Sequence, residues 1–124
     1  MDVTPLIPAG RQVIDSYGAH SFHVSGAGYG GAILVFPDKT ESWPVTALDD
    51  VTAETLRPVI EHGGVEILLL GCGKRMHPVR PALRQALRQA GIVVDAMDTG
   101  AACRTYNILL AEERRVAAAL LPAG

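Results

Sequence analysis

Two continuous apolar runs bounded by turn residues, "VEILLLG" (65–71) and "IVVDAMD" (92–98), constrain this chain more than any other feature. A run of Val, Ile and Leu shorter than a helix marks a strand covered on both faces, because a half-exposed strand would alternate with polar residues. Between the runs, "HPVRPALRQALRQAG" reads as a helix. Pro78 and Pro81 lie near its start, where a missing N–H costs little, and Gly91 stops it. Leu83, Ala86, Leu87 and Ala90 form its apolar stripe. Residues 65–98 are therefore expected to form a strand–helix–strand unit. Its two strands should be adjacent, buried and parallel, with a right-handed crossover.

The rest of the chain is read around that unit. Another helix is expected from near Thr99. The closing "RVAAALLP" has good helix formers, yet its unbroken apolar run ends at Pro122, and we read 116–121 as a last strand. From Gln12 to Val45 the grammar is β. "QVIDSYG", "SFHVS" and "GAILVF" read as short strands, "GAGYGG" as a glycine-rich turn, "PDKTES" as a polar turn and "WPV" as a short extended piece. In "LDDVTAETLRPVIEHGG" Thr52 is the expected N-cap and Gly63 and Gly64 the stop. Pro58 then sits in the helix interior, so this helix must be kinked or begin late. Residues 1–10, with Pro5, Pro8 and Gly10, read as an irregular arm.

Composition sets limits on function. The 124 residues fit one domain with one core. Aromatic residues are 5% of the chain, so the core must be built from Val, Ile, Leu and Ala. Formal net charge is -2, and the 11 Lys and Arg are spread along the chain, which argues against a nucleic-acid partner. The longest apolar runs are too short to span a bilayer, and the start lacks signal-peptide character, so a cytoplasmic location without membrane insertion is expected. Two cysteines supply neither a disulfide framework nor a four-thiolate zinc site. His20 and His23, three apart in a β-like segment, point to opposite faces. No metal and no cofactor are expected.

Two stretches carry candidate chemistry. In "LLGCGKRMHP" the glycines let backbone N–H groups approach an anion, and Lys74 and Arg75 add attraction. The third glycine of a dinucleotide fingerprint is missing, and so is the Lys-Ser or Lys-Thr of a P-loop. A strand-to-helix turn that needs small residues explains the same letters. In "DTGAACRTYN" either Asp98 or Thr99 caps a helix, and Gly100, Ala101 and Ala102 permit close packing. Cys103, Tyr106 and Leu110 recur at three- and four-residue spacing and share a core-facing stripe, with Arg104 and Asn107 on the neighbouring face. Cys103 as a nucleophile would need a base, and His77 is the one that could approach it in space. Both turns follow parallel strands, and ligand crevices form outside such strand ends. The candidate binding set is Gly71, Cys72, Gly73 and Lys74 with Asp98, Thr99, Cys103, Arg104 and Asn107, and Cys72 and Cys103 could meet there. Arg104 sits at the helix end that disfavours a cation, so a partner group is expected beside it: Asp98, another carboxylate, or a bound or partner acid.

The segments "GGAILVFPDKTESWPV", "ILLLGCGKRMHP" and above all "MDTGAACRTYNILLAEERRVAAALL" resemble a small family of bacterial, archaeal and mitochondrial proteins that includes the mitochondrial complex I assembly factor 3. The likeness runs from about Leu6 to Leu121, with "AACRTYN" its most specific part. It implies a three-layer α/β domain with a central mixed sheet whose final strand runs antiparallel to the others. It implies no catalytic residue, and a role in binding proteins during assembly of a respiratory or membrane complex. Assembly with further copies of the chain stays open. One departure is Cys72, where relatives commonly carry threonine between the glycines. The sequence thus predicts one α/β domain over 1–124, with N-terminal β segments and a strand–helix–strand–helix–strand C-terminal half. The function expected is a non-enzymatic protein-binding or assembly factor. The alternative is a small-ligand or anion binder, or an enzyme, using the crevice.

Overall fold

A computed structural model describes residues 10–124, so all but the last residue of the expected irregular arm lies outside the described residues. Among the described residues, eight strands and three α-helices follow one another as β1 (Ile14–Tyr17), β2 (Ser21–Val24), β3 (Ala27–Gly30), β4 (Ile33–Val35), β5 (Thr40–Ser42), α1 (Arg57–His62), β6 (Ile67–Gly71), α2 (Pro81–Gln89), β7 (Val93–Met97), α3 (Thr99–Ala111) and β8 (Val116–Leu120). The central sheet has the order β5-β4-β8-β6-β7, and β1-β2-β3 form a separate antiparallel sheet.

The central sheet is the middle of three layers. Along β6, Leu68 and Leu70 face one core while Leu69 faces the other; along β8, Ala117 and Ala119 face the first and Val116, Ala118 and Leu120 the second. Both faces are covered, which is why these runs carry no polar alternation. The first core is closed by α2, through Leu83 and Leu87, and by Val59 of α1. The second is closed by α3, through Ala102, Cys103, Tyr106 and Leu110, and by the small sheet, through Ile14, Phe22 and Val24.

The strand–helix–strand unit forms as expected, with β6 and β7 adjacent and parallel. Two details differ. β7 is the sheet's edge and only half covered, with Val93 63% exposed, because α3 lies over β6 and β8. Ala90 is exposed, since α2 ends one residue before it. The final strand also departs from the expected direction: β8 is parallel to β6 and antiparallel to β4. α3 carries the chain back across β6, so β8 enters the sheet from the same end as β6 and β7. The strand running against these three is β4.

In the N-terminal half, "GAGYGG" contributes strand β3 and "PDKTES" contributes β5, where only turns were expected. Both are held by antiparallel partners, β3 by β2 and β5 by β4. "WPV" forms no strand; Trp43 is buried and its indole N–H donates to the Thr55 carbonyl at 2.8 Å. α1 begins late, at Arg57, with Pro58 in its first turn. Thr52 and Thr55 instead exchange side-chain bonds with each other's amides, at 2.9 and 3.2 Å, in the turn that precedes it. Among the described residues, no helix is long and apolar enough to cross a membrane.

Candidate functional site

The turns after β6 and β7 do meet, and hydrogen bonds within the chain fill the crevice between them. Thr99 is fully buried at the start of α3. Its hydroxyl accepts from the Gly73 amide at 2.8 Å and donates to the Leu121 carbonyl at 2.6 Å. Its own amide donates to the Gly73 carbonyl at 2.9 Å, and the Leu121 amide donates to the Gly71 carbonyl at 3.0 Å. One hydroxyl thus ties the ends of β6, α3 and β8 together. Gly71 has to be glycine for this to close: a Cβ there would lie 2.8 Å from Leu120 Cδ2 and 3.2 Å from the Thr99 Cα. Asp98 is the cap, accepting from the Ala101 amide at 3.0 Å, which occupies a helix-end donor that an anion would otherwise use.

The two thiols stand on opposite sides of the sheet, Cys72 in the core beneath α2 and Cys103 in the core beneath α3. They do not approach as a pair, and both are unbridged. Burial pushes the Cys103 thiol up from its ordinary 9.0 to about 12, and nearby Arg104 offsets this only in part. Burial also raises Cys72. The His77 backbone lies with Cys72, its carbonyl 3.8 Å from the Cys72 sulfur, across the sheet from Cys103. Thiols held protonated in this way are poor nucleophiles.

Arg104 and Asn107 reach towards the small sheet. Arg104 Nη1 donates to the Tyr17 hydroxyl at 2.9 Å, so the group beside this cation is a phenol. That hydroxyl would lie 2.7 Å from a Cβ at Gly100, so Tyr17 covers the opening turn of α3. Asn107 accepts from the Ile14 amide at 3.0 Å and donates to the Ile14 carbonyl at 2.8 Å. Sequence reading missed Ile14 and Tyr17 because they lie 93 and 87 residues from their partners, and no local pattern links them. Of the nine candidate residues, Lys74 and Arg104 are exposed; Gly71, Cys72, Gly73, Thr99 and Cys103 are buried. Around that end of the sheet Tyr17 and Met76 are also exposed, at 41% and 57%.

Residues 14–121 match the family described as "Protein of unknown function (DUF498/DUF598)". The chain belongs to that family. An uncharacterised protein of Rhodobacter capsulatus is 39% identical over 92% of the chain and 87% of its own length. The NADH dehydrogenase [ubiquinone] 1 alpha subcomplex assembly factor 3 of Bos taurus is 36% identical over 88% of the chain. The match covers 60% of the bovine protein's length. A crystal structure from Bordetella parapertussis superposes with a TM-score of 0.85 at 41% identity, over 93% of this chain and 99% of that one. The resemblance carried by "AACRTYN" is therefore a family relationship, and the residues of that stretch are the ones that bind α3 to the small sheet.

Proposed function

We propose that this protein is a binding factor for another protein, acting in the assembly of a respiratory or membrane complex and performing no chemistry of its own. The observation that carries the reading is the relationship to assembly factor 3 proteins over 88% of the chain. The site geometry supports it: the crevice is filled by Thr99 and its backbone partners, and both thiols are buried. The proposed contact surface is the end of the sheet where Lys74, Met76, Tyr17 and Arg104 emerge around the filled crevice. It combines exposed apolar side chains with two cations, the mixture that interface anchors favour.

Affinity capture from the native cell tests this, using wild type beside Met76→Asp and Lys74→Glu. One partner, recovered in stoichiometric amount by wild type and lost with both substitutions, is the expected result. Equal recovery by all three proteins would show that the partner binds elsewhere. A thermal-shift screen that found a small ligand displaced by Thr99→Val would favour a binder at the crevice instead.

A further inference from the structure

The cavity at the other end of the sheet has a chemistry that the proposed function does not use. It is an open cleft of about 310 Å3 beside the starts of β6 and β8, within the range of small-ligand sites. Its lining includes the apolar Leu110 and Val116 and three arginines, Arg11, Arg114 and Arg115. Two carboxylates share the lining, Asp38 and Glu113. Asp38 is engaged by the His62 ring at 2.7 Å. Arg115 is 3.7 Å from Glu66. Among the described residues, Arg11 and Arg114 have no carboxylate within ion-pair distance. The loop after α1 adds a second feature. Gly64 and Val65 line the cavity, and among the described residues neither backbone amide donates to a protein acceptor. Successive backbone N–H groups beside guanidinium groups are an arrangement suited to an oxyanion.

The opposing term is also present. The C-terminal ends of α1 and α3 close on this region and carry partial negative charge. Each helix end carries about half an elementary charge and Glu113 a full one, against a full charge on each of Arg11 and Arg114, so an anion would be held by local contacts to the guanidinium groups and backbone amides and not by a net positive field. Glu113 holds a left-handed backbone, φ 60°, in the turn that leads α3 into Arg114 and Arg115.

We propose that this cavity binds a small organic oxyanion, a carboxylate or phosphate on an apolar body, with Arg11 and Arg114 and the Gly64–Val65 amides meeting the oxygens. The apolar body rests on Leu110 and Val116. The site is independent of the partner surface at the opposite end of the sheet.

Amide NMR titration of the whole chain tests it with three probes of similar shape: phenylacetate, phenyl phosphate and neutral benzyl alcohol. Saturable shifts centred on Gly64 and Val65 with either anion, and none with the alcohol, are expected; the better anion identifies the head group. The variant carrying Arg11→Gln and Arg114→Gln should bind at least roughly tenfold more weakly at an unchanged melting temperature. Three results would overturn the proposal: no saturable shift with either anion, equal shifts with the alcohol, or undiminished binding by the folded double variant. A double variant that loses stability while wild type shows no anion preference would assign the arginines to the helix ends alone. The comparison of anions with alcohol on wild type decides the matter even if the variant does not fold.

Discussion

Asn107 on α3 grips both backbone groups of Ile14 on β1, accepting from its N–H at 3.0 Å and donating to its carbonyl at 2.8 Å. A side-chain amide here does the work of a neighbouring strand, and it fixes the small sheet on α3. Asn107→Ala is expected to cost about 1–3 kcal/mol, because two part-buried backbone groups lose their partner. Chemical denaturation measures the loss, and hydrogen exchange at the Ile14 amide should accelerate more than at Leu69.

Thr99 is the second such joint. Thr99→Val keeps the shape but leaves the Gly73 N–H and the Leu121 carbonyl unpaired, and should cost roughly 2–4 kcal/mol. Thr99→Ser keeps the hydroxyl and should cost less. Gly71→Ala should also destabilise, by about 1–3 kcal/mol, since its Cβ meets backbone as well as a side chain.

The pH dependence follows from Cys103. Its folded pKa is raised, to about 12, so its contribution is complete below 9.0 and is lost as pH rises through that interval. Tyr106, fully buried and also raised by burial, acts in the same direction. Melting temperature should therefore fall steadily above pH 9.0, and the fall should be shallower in Cys103→Ala. A native protein that reacts with a thiol reagent as fast as the unfolded chain would contradict the buried thiol.

Glu113 is, among the described residues, one of two non-glycine residues at positive φ, where an L side chain crowds its own carbonyl. Glu113→Gly should stabilise the protein by roughly 1 kcal/mol, read as a rise in the denaturation midpoint.

The C-terminal half was legible in the sequence because its elements carry their own signals. β6 is an unbroken apolar run, α2 is framed by Pro81 and Gly91, and α3 starts at an Asp98 cap. β3 and β5 were not legible, since "AGYG" and "TES" have little strand character and owe their structure to β2 and β4. The direction of β8 depends on where α3 crosses, which no local pattern encodes. Near the crevice the sequence showed the core-facing stripe of Cys103, Tyr106 and Leu110. It did not supply Tyr17 or Ile14, and no local pattern joins Arg11 to Arg114, which lie at opposite ends of the chain.

We propose that the start of α3 serves packing and partner contact while its thiol does no chemistry. The most direct measurement compares Cys103→Ala and Arg104→Lys, each scored for melting temperature and for recovery of the partner captured by wild type. Cys103→Ala should lose about 1–2 kcal/mol of stability, in line with a small buried side chain, and recover the partner fully. Arg104→Lys should keep the fold and recover less, since an ammonium does not reproduce a planar guanidinium contact. Loss of the partner by a stable Cys103→Ala, with Arg104→Lys unaffected, would contradict the claim and make the cysteine the working residue.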